Sequence, residues 1–334
     1  MSKFSHEVLQ RCIFPYVKNQ DPGVILGAAF GQDVALTKVG GDILASHVDP
    51  IVGAIENIGW LAVHIACNDI AASGIRPSWA LVLVLVPRVE DEDMLEEIMQ
   101  DASRAAQEAG ISIIGGHTGY SSGVVRPLVA VTALGNAAGR TPIYTGGAHL
   151  EDHVLITKGV ALEGTAILAH DFADVAKKLG ITDAELDQAR NLAHEVSVIP
   201  ESDVLAEHGA TSMHDVTRGG LMETLIEMAN ASGMCFRINS SLVPARPVID
   251  RFAERFGFDP LRMISSGSLA ATVSPDRVDA VIRELSERGI PCADIGRVTE
   301  GKGIIVEGSG TVDHYTEIRC EDDELARMWT LYPR

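Results

Sequence analysis

The pattern of apolar and polar positions predicts a sheet covered by helices in the first half of the chain. Alternating segments on either side of Gly40-Gly41 predict two strands joined by a tight turn, Val34–Val39 and Ile43–Val48. Helical spacing of apolar residues, ended in each case by a glycine, predicts helices over Glu56–Ser73 and Asp91–Ala109. Three apolar runs predict further strands, namely Trp79–Val86, Ile111–Ile114 and Leu128–Leu134. Helices on one face of a single sheet indicate a layered α/β or α+β domain.

A stretch rich in Gly, Pro and Thr, Gly139–Gly147, precedes a new strand and predicts a domain boundary. The expected domains are 1–147 and 148–334, in agreement with the rule that single cores seldom exceed roughly 250–300 residues. The second half is predicted to contain helices near Gly164–Phe172, Asp183–Ala193, Ser202–His208 and Gly220–Ala231, and strands at Val154–Thr157, Leu269–Val273 and Ile304–Val306.

Composition narrows the classes of function. A net charge of -19 without any basic run argues against nucleic acid as the main partner. An acidic protein can still bind a nucleotide when carboxylates recruit Mg²⁺ to the phosphates. The five cysteines are scattered without a CxxC pair, which indicates reduced thiols, and no apolar run is long enough to span a bilayer. We expect a cytoplasmic protein that does not act at a membrane.

Three aspartates are candidates for binding metal. Asp33 follows a glycine turn in Gly31-Gln32-Asp33, where it could also cap the turn, and Asp49 precedes Pro50, which is expected to force the chain out of the sheet. If the two predicted strands pair, Asp33 and Asp49 approach each other. Asn68-Asp69 lies in a helix of otherwise apolar residues, where burial is costly without partners. Metal ligation would supply such partners, and an internal hydrogen bond or a cap is the alternative.

Three glycine-rich motifs are candidates for binding phosphate. Gly115-Gly116-His117-Thr118-Gly119 follows the strand Ile111–Ile114, where a turn would present backbone N–H groups to an anion. His214-Asp215-Val216-Thr217-Arg218-Gly219-Gly220 precedes a helix and predicts an anion site at its N-terminus, although Asp215 could simply cap that helix. Lys158-Gly159 follows a strand and is a further candidate, although a lone lysine is usually a surface charge.

Taken in order, these motifs resemble the PurM-like superfamily of AIR synthase-related proteins, most closely its HypE hydrogenase maturation branch. The resemblance covers almost the whole chain and also includes Glu56-Asn57-Ile58-Gly59 and Glu163-Gly164-Thr165-Ala166. It implies an α/β N-terminal domain plus an α+β C-terminal domain, the PurM-like two-domain fold. It also implies ATP bound between the domains, and a homodimer whose N-terminal sheets build a shared β-barrel.

The resemblance also implies roles for individual residues. Mg²⁺ on the ATP phosphates would be held by Asp33, Asp49 and Asp69. The nucleotide would be contacted by Asn68, Gly115, Gly116, Thr118 and Lys158. Catalysis would involve Asp215, approaching the nucleotide or the acceptor, and His117.

Several positions depart from the HypE pattern. Gln32 stands where many members have an acidic residue, His117 stands in place of an aspartate, and Gly119 stands in place of a charged residue. Ser266 replaces a glutamate of HypE, which affects the expected dehydration chemistry. The chain ends Leu331-Tyr332-Pro333-Arg334 without the terminal cysteine of HypE, and a helix is predicted before it, over Glu321–Trp329. We therefore expect no cysteine tail to act as substrate.

The expected function is an ATP-dependent enzyme that activates an oxygen, amide or carboxyl group by phosphorylation, with a place in metalloenzyme maturation. Its partners would be a small-molecule or protein-borne acceptor and maturation-factor proteins. One alternative is a catalytically altered HypE-like dimer that serves as a binding partner or scaffold. Another is a small-molecule kinase or synthetase of the same superfamily, although a selenophosphate-type synthetase is disfavoured because its N-terminal Cys-bearing, glycine-rich loop is absent.

Overall fold

The structure is a computed structural model that describes residues 4, 6–17, 21–29, 31–52, 57–244, 246–308, 310–317 and 323–332. The chain divides into two compact units between Pro142 and Ile143. The described residues up to Tyr16 group with the second unit, so the short helix α1 (His6–Cys12) belongs there. None of the helices in the described ranges combines the length and the apolar content that a membrane crossing requires.

The first unit is built on a six-stranded sheet with the strand order β1-β2-β3-β6-β4-β5. Its strands are β1 (Val24–Leu26), β2 (Ala35–Val39), β3 (Asp42–Val52), β4 (Trp79–Val86), β5 (Ser112–Tyr120) and β6 (Leu128–Asn136). Only β4 and β5 are parallel neighbours. Helix α2 (Ile58–Ala72) follows β3, and α3 (Glu92–Ala109) follows β4. The predicted order of strands and helices is confirmed, with β1 as an additional edge strand.

The predicted hairpin is confirmed, but its second strand is longer than expected. β2 and β3 pair from Ala35 opposite Ser46 to the turn at Gly40-Gly41, where Gly40 has a φ of 66°. The prediction that Pro50 ends the strand is wrong, because Pro50 lies within β3, opposite Ala130 of β6. Since β2 does not extend past Ser46, one side of β3 at Pro50 has no neighbouring strand in the described chain. A residue without an N–H group is tolerated on such a side.

Helix α2 is the most deeply buried element of the first unit, with all but one of its residues buried. Small side chains allow this, and Gly59 is the clearest case. A Cβ at Gly59 would lie 2.1 Å from the main-chain oxygen of Ile98 in α3. The close approach of α2 and α3 therefore requires glycine at this position.

The two faces of the first sheet differ in exposure. Along β4 the even-numbered residues Ala80, Val82, Val84 and Val86 are buried, whereas Trp79 and Leu81 are each 38% exposed. β6 shows the same alternation. Because successive side chains point to opposite faces of a sheet, one face is covered by helices and the other is open.

The second unit contains a seven-stranded sheet with the order β13-β12-β9-β11-β7-β10-β8. Its strands are β7 (His153–Thr157), β8 (Ser212–Asp215), β9 (Cys235–Asn239), β10 (Leu269–Val273), β11 (Cys292–Thr299), β12 (Gly303–Gly308) and β13 (Thr311–Tyr315). Its helices after α1 are α4 (Leu162–Asp171), α5 (Ala173–Lys178), α6 (Asp183–Asn191), α7 (Ile199–Glu207), α8 (Gly220–Ser232), α9 (Pro247–Phe256), α10 (Val278–Glu287) and α11 (Glu324–Leu331). A largely antiparallel sheet with helices agrees with the expected α+β class.

Two hydrophobic clusters hold the second unit together. One packs α8 against the sheet around Phe236, and the other joins α4, α6, α9 and α11 around Phe172 and Phe252. In the second cluster Trp329 of α11 stacks edge-on against Phe172, with ring centroids 4.9 Å apart. The helix predicted near the end of the chain is confirmed for its described part.

Candidate functional site

Asp69 is a buried carboxylate in the interior of α2. It is 8% exposed and lies far from the first turn, so the alternative that it caps the helix is wrong. The Nε2 atom of His47 in β3 lies 3.4 Å from its Oδ2 atom. A carboxylate buried in an apolar helix needs such compensation, because desolvating a charge without a partner costs several kcal/mol.

His47 joins two of the three predicted metal ligands. While Nε2 faces Asp69, Nδ1 is hydrogen-bonded to the main-chain oxygen of Asp33. A carbonyl oxygen can only accept, so Nδ1 carries the proton and donates it. His47 thereby fixes the main chain of Asp33 relative to the carboxylate of Asp69.

Asp49 lies on the same strand as His47, two residues further along. Alternation along β3 places the two side chains on one face of the sheet, and the contact with Asp69 identifies this as the face covered by α2. Asp49 is half-buried there. The structure therefore brings Asp69, the main chain of Asp33 and the Asp49 face of β3 together around His47.

Asn68 is fully buried in α2, immediately before Asp69. A fully buried amide in a helix needs hydrogen-bonding partners, and its burial indicates a role in fixing the helix. Its expected contact with a nucleotide remains a prediction.

The glycine-rich turn predicted after Ile114 is wrong. Gly115, Gly116, His117 and Thr118 are part of β5, which pairs in parallel with β4 and forms an edge of the sheet. Gly116 is required for this pairing, since its φ is 153° and a Cβ would lie 1.8 Å from the main-chain oxygen of Val82. The glycines therefore allow close strand pairing rather than forming a turn around an anion. His117 and Thr118 are exposed, and their predicted roles are not tested by this geometry.

Lys158 does not fit the predicted phosphate contact. It is 8% exposed at the end of β7, and its Nζ atom lies 2.7 Å from Oε1 of Glu201. Nζ also donates to the main-chain oxygens of Glu195 (3.1 Å) and Ser197 (2.6 Å). An ammonium group has three donors, and all three are used inside the protein. We therefore do not carry Lys158 into the proposed phosphate site.

Glu201, the partner of Lys158, is completely buried. Burial raises the pKa of its carboxyl group above the ordinary value, and Lys158 offsets only part of this effect. Burial, together with the charges of Glu201 and Asp294, also raises the pKa of the nearby Cys292 thiol to about 12. The ion pair of Lys158 and Glu201 is thus a structural element of the second unit, and the raised pKa, caused mainly by desolvation, keeps Cys292 in the unreactive thiol form.

Asp215 ends β8, five residues before α8 begins at Gly220. The alternative that Asp215 caps this helix is wrong, because the cap position is Gly219, with a φ of 78°. Asp215 is 1% exposed, and neither of its carboxylate oxygens accepts a hydrogen bond from the described residues. A buried carboxylate with open acceptor positions is suited to a donor or cation supplied by a ligand.

Two residues of these sites were missed from the sequence. His47 could have been found from its spacing of two from Asp49, which places both side chains on one face of a strand. The second is Glu227 of α8, a buried residue between Ile226 and Met228 that lies 3.1 Å from Nε2 of His214. A charged residue in an apolar helix was the signal used for Asp69, and it applies equally to Glu227.

The fold and these sites define a class of protein with an α/β domain followed by an α+β domain, each carrying a buried carboxylate. The N-terminal domain model of the AIR synthase related proteins matches residues 31–137, and the C-terminal domain model matches residues 151–309. The chain belongs to the AIR synthase related family. The resemblance drawn from the ordered motifs is therefore confirmed.

Individual relatives place the chain near the HypE branch of this family. It is 28% identical over 277 residues to the carbamoyl dehydratase HypE of Rhizobium leguminosarum bv. viciae. The aligned region covers 78% of this chain and 73% of the relative. Its fold is similar to HypE in a HypE–HypF complex, with a TM-score of 0.76, 20% identity and coverage of 92% and 98%. It is also similar to HypE in complex with ATP, with a TM-score of 0.71, 23% identity and coverage of 94% of each chain.

Proposed function

We propose that this protein is an ATP-dependent enzyme that activates an acceptor group by phosphorylation. The observation that carries the proposal is the buried carboxylate of Asp69 in an apolar helix of a chain that belongs to the AIR synthase related family. The similar fold of HypE in complex with ATP supports ATP as the phosphate donor. The proposed acceptor is an oxygen of an amide, carboxyl or related group.

The carboxylates of the first unit fit a divalent cation. Mg²⁺ prefers carboxylate oxygens and keeps several of its waters, so it needs few protein ligands. Asp69 is buried in α2, and Asp49 lies on the face of the sheet that α2 covers. A helix and a strand, which are rigid elements, therefore present the two carboxylates. We propose Asp49 and Asp69 as ligands, together with Asp33, whose main chain His47 holds. Bound Mg²⁺ would neutralise the phosphate oxygens of ATP.

The proposed reaction transfers the γ-phosphoryl group of ATP. An acceptor oxygen attacks the γ-phosphorus, an O–P bond forms, and the bond from the γ-phosphorus to the bridging oxygen breaks with the electron pair leaving on ADP. The proton of the acceptor group passes to a carboxylate, for which we propose Asp215. Its open acceptor positions support this role, and its burial means that the groups covering it must move when an acceptor binds.

We propose hydrogenase maturation as the setting, because the similar proteins include carbamoyl dehydratases named HypE and hydrogenase expression/formation proteins. The HypE–HypF complex supports a second maturation factor as a partner, and we propose the cytoplasm as the location. Ser266 is 3% exposed, and the resemblance to HypE implies a glutamate at this position. A serine hydroxyl cannot serve as a carboxylate base, so dehydration of a carbamoyl group would need another base in this chain.

We also propose that the protein is a homodimer formed through the first sheet. Val48 is 61% exposed and Val52 is 44% exposed, and both lie on the open face with Leu81. β5 is an edge strand whose outer side has no partner strand within the described ranges. An apolar face beside an unpaired edge favours association with a second copy. Light scattering should give a dimer mass for the wild-type chain and a monomer mass for Val48→Asp.

Release of ADP from Mg-ATP, measured with representative alcohols, primary amides and carboxylates as acceptors, tests the enzymatic proposal. We expect release that depends on one acceptor class and that is lost in an Asp33→Asn/Asp69→Asn double variant. Asp183→Asn is a matched control, because Asp183 pairs with Lys177 at the surface of the second unit. Release equal in the wild type and the double variant would contradict the proposal.

Ser266 also favours one alternative, a catalytically altered HypE-like protein that serves as a binding partner. Such a protein would bind Mg-ATP through Asp49 and Asp69 but would release no ADP with any acceptor class. Calorimetric titration with Mg-ATP, combined with the ADP-release assay, therefore separates the two functions. Binding without ADP release supports the alternative, and ADP release excludes it.

A further inference from the structure

Asp323 is a buried residue at the start of helix α11, and its carboxylate joins this helix to the turn that precedes α8. Its Oδ1 atom accepts a hydrogen bond from the main-chain N–H of Ala326 at 3.1 Å and so caps α11. Its Oδ2 atom lies 3.3 Å from Nε of Arg218. Capping a helix uses one oxygen of the carboxylate, so the second is available to pair with the cation of the turn.

The turn between β8 and α8 is built around two glycines. Gly219 and Gly220 have φ values of 78° and 64°, in the left-handed region. A Cβ on Gly220 would lie 2.5 Å from the main-chain oxygen of Leu261, so the packing requires glycine there. Consecutive glycines lose much backbone freedom on folding, so such a turn relies on tertiary contacts to keep one conformation. The ladder between β8 and β10 ends at Asp215 and does not reach the turn, which leaves the contact of Arg218 as one of its supports.

Helix α11 is a firm support for this contact. Leu325 and Met328 are buried in the hydrophobic cluster around Phe172. Oε1 of Glu324 accepts a hydrogen bond from the main-chain N–H of Asp259 at 3.1 Å. These contacts anchor α11 independently of Arg218. Loss of the ion pair would therefore release the turn before α8 and leave α11 in place.

We propose that Asp323 is a positioning residue, which holds the turn after Asp215 in place through Arg218. The side chains of Arg218 and Asp323 are 17% and 9% exposed, so solvent screens their attraction less than that of a surface pair. Asp215, the proposed proton acceptor, lies three residues before Arg218 on the same segment. Movement of the turn would displace this carboxylate from the acceptor. The inference rests on the proposed function only for turnover, because the turn can be observed without substrate.

Amide hydrogen exchange of the full-length protein, measured by mass spectrometry of its peptides, tests the contact. Asp323→Asn keeps an oxygen that can cap α11 but removes the charge that pairs with Arg218. We expect exchange in residues 216–222 to become roughly five- to thirtyfold faster, while exchange in α11 is unchanged. Glu324→Gln is the matched control, since it removes the neighbouring charge of the same helix and should leave residues 216–222 unchanged.

Turnover provides a second measurement. In an active protein Asp323→Asn should lower kcat roughly ten- to hundredfold with KM for ATP unchanged, because a displaced base is poorly aligned with the acceptor. Arg218→Lys keeps a positive charge opposite Asp323 and should retain more activity than Arg218→Gln. Asp323→Asn should add little further loss to Arg218→Gln, because both substitutions remove the same contact.

Unchanged exchange of residues 216–222 in Asp323→Asn would overturn the inference, because Asp323 would then act only as a helix cap. Losses of kcat that add fully in the double variant would overturn it as well. Failure of the protein to use ATP would instead contradict the proposed function, and the exchange measurement would still decide the inference. If Asp323→Asn does not fold, the exchange of Arg218→Gln decides in its place, with faster exchange expected in residues 216–222 and unchanged exchange contradicting the contact.

Discussion

Replacing Lys158 separates its predicted role at a phosphate from its structural role. Lys158→Met leaves the fully buried Glu201 without its cation, and removing one partner of a buried ion pair costs about 3–5 kcal/mol. For a unit of this size, a loss of 3 kcal/mol lowers Tm by roughly 6–12 °C. We therefore expect a large fall in the calorimetric Tm of the second unit, with little change in affinity for ATP.

The dependence of this loss on pH follows from the raised pKa of Glu201. A group whose pKa is raised in the folded state favours folding when it is protonated, and this contribution is lost as the pH rises through the folded-state pKa. The deficit of Lys158→Met should therefore be smaller near about pH 5.5 than near about pH 8. Lys158→Met/Glu201→Leu should recover most of the stability, because an apolar pair replaces the ion pair.

Lys177→Met is the matched control for this experiment, since Lys177 forms an exposed ion pair with Asp183. We expect it to leave Tm unchanged, as is usual for surface pairs. A Lys158→Met protein with unchanged Tm and strongly weakened ATP binding would refute the structural assignment and restore the phosphate contact.

Four further predictions follow from other contacts. His47→Ala should weaken Mg-ATP binding by roughly 10- to 100-fold in calorimetric titrations, with partial retention in His47→Asn, because His47 orients the proposed ligands. Gly116→Ala should destabilise the first unit by about 2–4 kcal/mol in urea denaturation, whereas Gly119→Ala should be tolerated, because only the former places a Cβ against the main chain of Val82. Burial opposes ionisation of Glu108, but hydrogen bonds from Trp60 and His64 lower its pKa overall. Its contribution to stability is therefore lost as the pH falls through the lowered pKa. We expect Glu108→Gln to flatten the fall in the free energy of unfolding at acidic pH, measured by urea denaturation at a series of pH values. Iodoacetamide labelling followed by mass spectrometry should modify the exposed Cys12 and spare the buried Cys67 and the half-buried Cys292, since desolvation and nearby carboxylates raise the pKa of both thiols to about 12; equal labelling of the three would contradict this assignment.

The elements predicted from the sequence were those with a strong local period or clear ends. The hairpin at Gly40-Gly41, the helix containing Asp69 and the strand Trp79–Val86 each carry their own signal, and each is present. Helix α9 was missed although Ile249, Phe252 and Phe256 recur at helical spacing and all are buried. Its signal was therefore present in the sequence. β8 is different, because its four residues acquire strand structure only by pairing with β10.

The two errors at the candidate sites have a common physical cause. A glycine pair after a strand indicates a turn when only local conformation is considered, but Gly116 is needed where β5 approaches the main chain of β4. The local sequence around Lys158 indicates a free charge at the end of a strand, but in the folded protein Lys158 is paired with Glu201 of α7. Both outcomes depend on residues distant in the sequence, which local patterns do not specify. Asp69 was identified because its own helix makes its burial evident.

Calorimetric titration with ATP in the presence and absence of Mg²⁺ shows whether the carboxylates of the first unit bind the nucleotide through a metal ion. We expect binding that requires Mg²⁺, that is lost in Asp69→Asn and strongly weakened in Asp49→Asn, and that is unchanged in Asp183→Asn. Asparagine keeps the size of the side chain, so the loss would report the carboxylate charge rather than the packing of α2. Equal binding by the wild type and Asp69→Asn, or no binding of Mg-ATP by a folded wild-type protein, would contradict the proposed binding of ATP through Mg²⁺.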